Sequence, residues 1–538
     1  MNTNPDSHAV TPFRRRIPIL PTILWTLTAG FIIWTQTNEL VGMGTRVALA
    51  AASLFVAILG SLIWFTFCSR YPRKLRYTVF GICLASTVIA CYCLRIEEVS
   101  GDLIPRLAFR WAPVRDTTMN PIDASHTTDS SVNLAATTSG DFPQFLGPDR
   151  NLKVADPGFE FGWSESPPRS VWSIPIGAGW SAFSAVNGYG ITMEQRGPDE
   201  ITSCYEVATG KLIWANSIPA RHATVIGGVG PRSTPTIHQG RVYTLGATGM
   251  LRCLRGEDGE ELWRRNLLEE LGVTDDSASI AWGRSASPLV VDQAIVVPAG
   301  GPAGGVKHSL IAYDLATGQE LWRGGNRQIG YASPSLTQLD HERQILIVLQ
   351  NYASGYHPTN GELLWEFTWP GNSTADANNS QAVPIDERRV FVSKGYGQGA
   401  AVFEVNQDED GTWSAVETWS RSNVMKTKYT NVVVHEGHIY GLDDTFLECI
   451  DVESGQKRWK VRYDYGQILL VGNTLLVLDE NGMLFAVEAR PDKHVQLGKF
   501  QAVEGLTWNN LCLYDRFLLV RNGQEANCYE LELKTDAP

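Results

Sequence analysis

Seven tryptophans, Trp172, Trp214, Trp263, Trp322, Trp365, Trp419 and Trp459, recur at intervals of 42, 49, 59, 43, 54 and 40 residues. The clearest copy of the phrase that leads to them is Ala312-Tyr-Asp-Leu-Ala-Thr-Gly-Gln-Glu-Leu-Trp322, which returns as Cys204-Tyr-Glu-Val-Ala-Thr-Gly-Lys-Leu-Ile-Trp214. Looser copies end at Trp263, Trp365 and Trp459. A period of roughly 40 to 50 residues, with about four strands per unit, is that of a β-propeller blade. The repeat predicts an all-β domain whose rings pack blade against blade, since large apolar rings at one register belong to a core.

Each unit opens on an apolar inner strand, often after a Ser/Thr-Pro step: Thr234-Pro235, Ser287-Pro288 and Ser333-Pro334. Related starts near Ala185, Ala382, Val432, Ile468 and Leu511 bring the count to eight blades over residues 141–535. Gly210, Gly259, Gly318, Gly361 and Gly455 supply positive φ in the turn before the tryptophan strand. The segment Cys528-Tyr-Glu-Leu has no tryptophan strand after it, whereas Ser170-Val-Trp172 has no strands before it. Joining them completes the eighth blade and removes an open sheet edge. The seventh unit lacks a tryptophan, and Leu497 or Phe500 is expected in its place.

The nine cysteines do not form a disulfide framework. Cys204, Cys253 and Cys449 share one repeat position, as does Cys528, and Ala312 fills it elsewhere, so the slot calls for a small buried side chain. Residues 1–95 hold nine Lys/Arg against Asp6 and Glu39, which leaves the remainder at a net −19. An acidic domain repels phosphate backbones, so nucleic acid is not expected as a partner.

Apolar stretches at about 17–37, 46–68 and 75–95 are each near the roughly 20 residues needed to cross a bilayer as a helix. Arg14, Arg15 and Arg16 precede the first; Arg70, Arg73, Lys74 and Arg76 separate the second from the third. The positive-inside rule therefore places residues 1–16 in the cytoplasm and everything after residue 95 outside. In a diderm bacterium this means a multi-pass inner-membrane protein with its propeller in the periplasm. Residues 96–140, rich in Ser, Thr, Asp and Asn from Thr117 to Gly140, read as a disordered linker.

Asp141-Phe-Pro-Gln-Phe-Leu-Gly-Pro-Asp-Arg-Asn151 resembles the Trp-Pro-x-Phe-Arg-Gly-Pro-x-x-x-Gly opening of PQQ-like β-propeller repeat proteins abundant in planctomycetes. Gly227-Gly-Val-Gly-Pro-Arg-Ser-Thr-Pro235 and the Ala-Thr-Gly-x-x-x-Trp repeats extend the match over about 141–535. Members carry labels from quinoprotein alcohol dehydrogenases or from the propeller lipoprotein of the outer-membrane β-barrel assembly machinery. The enzyme side of the resemblance implies PQQ over a Trp floor, Ca²⁺ held by Glu, Asn and Asp, an Asp base and commonly a vicinal disulfide. No Cys-Cys pair occurs and no carboxylate set assembles in the sequence, so neither this cofactor nor a catalytic or metal residue is assigned. Asp376, Asn378 and Asn379 form an oxygen-rich run that reads as a polar loop.

If a ligand binds, its place is the funnel at one mouth of the propeller, lined by residues just before each inner strand; inter-blade packing and loop hydrogen bonding are the alternative roles for those residues. The candidates are Trp180, Arg232, Trp282, Arg284, Tyr331, Asn379, Tyr429 and Trp508, a set suited to a planar or anionic ligand. His222, His435 and His438 are expected to be solvated loop residues. The expected function is a membrane-anchored binding or scaffolding module for a small ligand or an envelope protein. A quinoprotein oxidoreductase and an envelope assembly factor are the alternatives.

Overall fold

The computed structural model describes residues 18–37, 43–119, 132–164, 166–374 and 376–534. The chain divides into two units, Met1–Arg95 and Ile96–Pro538.

In the first unit the described residues form three helices, Ile19–Thr37, Met43–Cys68 and Arg73–Cys93, each long and apolar enough to span a membrane. Their mean hydropathies are 1.3, 2.3 and 1.5. The first two pack together: Trp25 Nε1 donates to Ser61 Oγ at 3.1 Å, and a Cβ added to Gly60 would lie 2.8 Å from Leu24. The third helix stops at Cys93 rather than 95, because Leu94 turns extended (φ −106°, ψ 149°) and opens a strand. The cytoplasmic tail read over residues 1–16 lies outside the described residues.

In the second unit the described residues form eight blades, with inner strands that begin at Ser184, Thr236, Leu289, Ser335, Val383, Val433, Gly466 and Cys512. We number them blade 1 to blade 8 in that order. Each is an antiparallel ladder of sequential strands, and the eighth is completed by Arg169–Pro175, which pairs with Glu525–Glu530 in the register Trp172 to Cys528. The closure read from the sequence is therefore present. The small-residue slot is also explained. Cys204, Cys253, Ala312, Cys449 and Cys528 each sit directly opposite the tryptophan of their blade, and the ladder bulges at the next residue.

The tryptophans join one blade to the next. Nε1 of Trp172, Trp214, Trp263, Trp419 and Trp459 donates to the carbonyls of Val207, Gly256, Leu315, Val452 and Arg490, at 2.7 to 3.1 Å. Gly259 at φ +74° shows why that turn needs glycine, since a Cβ there would stand 2.4 Å from the Trp214 ring. Trp365 departs from the pattern and donates to Gln344 in its own blade.

Two expectations are corrected. In blade 7 the tryptophan register is held by Gly498, not by Leu497 or Phe500. A Cβ on Gly498 would meet Phe161 O at 2.3 Å and Trp163 N at 2.5 Å, so backbone fills the space that a ring takes elsewhere. Trp163 then packs edge-on against Phe500, with centroids 5.2 Å apart. The span read as a disordered linker is ordered at both ends. Leu94–Val99 pairs with Pro105–Phe109, a short helix covers Arg115–Thr118, and Val132 and Leu134 bury against Trp214 and Ile237. Those two aliphatics are what an otherwise polar run offers to a core; residues 120–131 lie outside the described residues.

The motif at 141–151 also acquires a structural role. Phe142 exchanges backbone hydrogen bonds with Ala185 of blade 1, and Pro143 O accepts from Ile237 N of blade 2. Arg150 donates to the carbonyls of Ser287 and Pro288 at the start of blade 3, and Lys153–Val154 runs parallel to the inner strand of blade 7. The segment thus crosses the ring of inner strands as a plug.

Candidate functional site

Trp180, Arg232, Ser285, Tyr331, Asn379, Tyr429 and Trp508 each stand four residues before an inner strand begins. This common offset brings them to one mouth, where they line a cavity of about 840 Å³, part of it continuous with solvent. Phe145 of the plug, Trp282, Ser333, Asn431 and Asn510 share the lining. Seven of the eight residues anticipated for the funnel are therefore together. Arg284 is not, because it stands five residues before its strand. It is buried, pairs with Asp276 at 3.0 Å and donates to Pro298 O. Ser285 takes the lining position instead. Ser333, Asn431 and Asn510, two residues before their strands, were missed; the repeat offset was the signal that could have found them.

Two aromatic walls result. Trp508 stacks on Tyr429 at 5.0 Å and 20°, and lies 4.9 Å from Trp180. Trp282 stacks on Tyr331 at 5.4 Å and 20°. Both indole N–H groups of the first wall are engaged by the protein, Trp180 with Gly227 O at 2.7 Å and Trp508 with Glu480 Oε2 at 3.0 Å. They offer the cavity ring faces. Beside them a small ribbon, Ala223–Thr224 with Gly228–Val229, carries the exposed pair Val225 and Ile226 at its tip, and Ile226 reaches the lining.

Arg232 is the one charged side chain on the described lining, and backbone carbonyls take up part of its donor set. Its guanidinium donates to the carbonyls of Gly227, Gly228 and Gly230, and burial lowers its pKa to about 10. With Arg284 elsewhere, one arginine of the expected two is on the described lining. His222, expected in solvent, is instead half-buried behind this region. Burial, aided by the charge of Arg232, lowers its pKa to about 4.

The donor chemistry does not fit a calcium-held quinone. No Asp or Glu lies on the described lining, and no cluster of three or more His, Cys, Asp or Glu occurs among the described residues. The oxygen-rich run disperses: Asp376 pairs with Lys394 at 2.7 Å, and Asn378 Nδ2 donates to the carbonyls of Leu349, Gln350 and Trp369. Asn379 alone faces the cavity. The nearest carboxylate to the aromatic wall, Glu480, already receives Trp508 and Gly101 N at 2.9 Å on one oxygen.

That second contact ties the hairpin after Val99 to the site. Gly101 is buried, and a Cβ there would lie 2.3 Å from the Tyr465 ring. Gly101→Ala is expected to push the hairpin tip off Glu480 and cost roughly 1–3 kcal/mol. A lowered melting temperature, with faster amide exchange at both 100–104 and 505–510, checks this.

Burial raises the pKa of Glu200 to about 7 and of Asp479 to about 6, and raises Glu480 as well. Between the ordinary carboxyl range and these values the folded protein holds protons that the unfolded chain has released. These three groups therefore lower stability as pH rises from about 4.5 to 7, while His222, held neutral by burial, contributes in the opposite direction. Glu200 alone accounts for roughly 3 kcal/mol of that loss, at about 1.4 kcal/mol per pK unit. Glu200→Gln, measured by urea unfolding from pH 4.5 to 8, is expected to flatten the slope.

Fold and repeat together define the class: the chain is a PQQ-like eight-bladed β-propeller of the quinoprotein alcohol dehydrogenase-like fold. Residues 198–461, slightly under half of the chain, match the family model described as Outer membrane protein assembly factor BamB. Among solved structures, the quinohemoprotein alcohol dehydrogenase ADHIIG from Pseudomonas putida HK5 is similar at 14% identity and a TM-score of 0.52, covering 77% of this chain and 84% of that one. The quinohemoprotein alcohol dehydrogenase from Comamonas testosteroni follows at 14% and 0.51, covering 75% and 82%. BamB from Moraxella catarrhalis aligns at 16% and 0.48, over 68% of this chain and 99% of that one. At such identities the likeness is one of fold. No curated protein matches the sequence.

Proposed function

We infer that this protein is a membrane-anchored, periplasm-facing binding module without catalysis of its own, whose propeller funnel holds an uncharged small ligand. The observation that carries the reading is the lining: two aromatic walls, amides and hydroxyls, with its one charged group tied to three backbone carbonyls. Such a surface gives apolar contact area and a few orienting hydrogen bonds, and its described residues include no carboxylate, imidazole, amine or thiol. The anchoring side of the reading rests on the three apolar helices and on the basic residues that flank them. A reporter fused after residue 110 is expected to read as extracytoplasmic.

Native mass spectrometry of the full chain, extracted from its own membrane, tests the binding reading. A small neutral adduct is expected on the wild type and is lost when both Trp180 and Trp508 are replaced by alanine. An adduct indifferent to those changes contradicts it. An envelope assembly factor is the second reading, favoured by the family-model match over 198–461 and by the exposed apolar pair Val225–Ile226. It differs in requiring a protein partner that is lost with Ile226→Asp.

A further inference from the structure

We propose that the ligand of this funnel is a neutral oligosaccharide, one pyranose ring of which lies against an aromatic wall with its hydroxyls directed to the amides at the rim. The proposal rests on the funnel being a binding site, as inferred above, and adds the chemistry of what enters it.

The argument starts from what each polar lining group still has to offer. Asn510 makes no side-chain hydrogen bond among the described residues, and its Oδ1 is enclosed without a partner. Asn431 Oδ1 accepts Gln381 N at 2.8 Å, which leaves the amide hydrogens of Asn431 as donors. Asn379 Nδ2 donates to Ala377 O at 3.3 Å, which leaves its Oδ1 as an acceptor. Ser285 Oγ donates to Tyr331 O at 2.8 Å and can still accept; Ser333 Oγ accepts Ser287 N at 2.9 Å and can still donate. The free set is mixed, with donors and acceptors in comparable number.

That mixture discriminates among ligands. A carboxylate, phosphate or quinone oxygen only accepts, so it would leave Asn379, Asn510 and Ser285 facing an unpaired acceptor in a largely apolar cavity, at a desolvation cost. An unsubstituted aromatic would leave all five groups unpaired. A hydroxyl both donates and accepts, and several hydroxyls around a ring match several such groups at once. The faces agree with the rim. Carbon-bound hydrogens on a pyranose carry slight positive charge and suit the negative face of an indole or phenol ring. Because Trp180 and Trp508 have their N–H groups engaged by Gly227 O and Glu480, it is the rings that they offer the ligand. The one cation on the described lining, Arg232, is tied to three backbone carbonyls within a strongly acidic domain, which further favours a neutral molecule over an anion.

The test is calorimetric titration of the full chain, in a detergent without a sugar head group, with maltotetraose, cellotetraose and tetra-N-acetylchitotetraose in turn, and with 2-naphthol as a flat aromatic control. The expected result is one-to-one binding of at least one tetraose, weakened at least tenfold by Asn379→Leu and by Asn510→Leu, whose melting temperatures stay near wild type. Trp508→Phe, which keeps a ring but loses the Glu480 bond, is expected to weaken binding less than Trp508→Ala. Tetraose binding that ignores the asparagine variants overturns the proposal. Failure of all three sugars alongside naphthol binding that depends on Trp508 overturns the saccharide and leaves the funnel reading standing. Failure of every probe overturns both.

Discussion

Arg521→Met destabilises the propeller by roughly 3–5 kcal/mol, the range for removal of one partner from a buried charge network. Arg521 is fully buried at the end of the strand Phe517–Arg521 in blade 8. Its guanidinium reaches across the closing joint into blade 1, donating to Thr192 Oγ1 at 2.7 Å, Met193 O at 2.9 Å and Gly177 O at 2.8 Å. Within the same joint lies Glu194, also fully buried, which accepts from Gly177 N, Ser203 Oγ and Tyr205 OH and pairs with Arg196 at 3.1 Å. Burial pushes the Glu194 carboxyl up, but Arg196, Ser203, Arg521 and Gly177 together outweigh it and hold the pKa below the ordinary value. Methionine fills comparable volume but removes the donor to three carbonyls, Met193, Gly177 and Asn522, and to the Thr192 hydroxyl, and leaves Glu194 one cation short. A urea midpoint that moves by the corresponding amount checks this. Glu194→Gln added to Arg521→Met is expected to recover part of the loss, since it removes the uncompensated charge.

Trp172→Ala is expected to cost a similar amount, roughly 3–5 kcal/mol, as a truncated core ring. Trp172 is the one repeat tryptophan whose strand lies far in sequence from the rest of its blade. Its ring covers Gly210 of blade 1, where φ is +70°, and its Nε1 holds Val207 O at 2.7 Å. Truncation removes both contacts at the point where the circle closes, so Arg169–Pro175 is left with its ladder to Glu525–Glu530. Faster exchange in the Arg169–Pro175 amides is expected beside the lowered midpoint. Trp459→Ala is the comparison: its ring is only half-buried and its strand is local, so its cost is expected to be smaller.

These two sites show what the sequence could and could not reveal. The period, the turn glycines and the incomplete eighth unit are local patterns, so the blade count and the closure through Trp172 were legible. The plug was not, because its contacts with blades 1, 2, 3 and 7 are long-range and leave no periodic mark on residues 142–154. Trp163 was missed for the same reason: Gly498 reads as an ordinary strand glycine until another segment is seen to lie over it. In the funnel the rule "just before the inner strand" was right but one residue too loose. At four residues before the strand a side chain faces the cavity, as Ser285 does; at five, Arg284 turns to Asp276. The difference is the alternation of an extended backbone, which sends successive side chains to opposite sides. Of the two arginines behind the expected anionic ligand, Arg232 is the one on the lining.

Binding without turnover is the central claim, and a dye-linked assay of the full-length protein loaded with PQQ and Ca²⁺ tests it most directly. Primary alcohols and aldoses serve as electron donors. The account predicts no saturable dye reduction and quinone absorbance that passes entirely into the filtrate. Saturable, PQQ-dependent dye reduction that is lost on Trp508→Ala would contradict it.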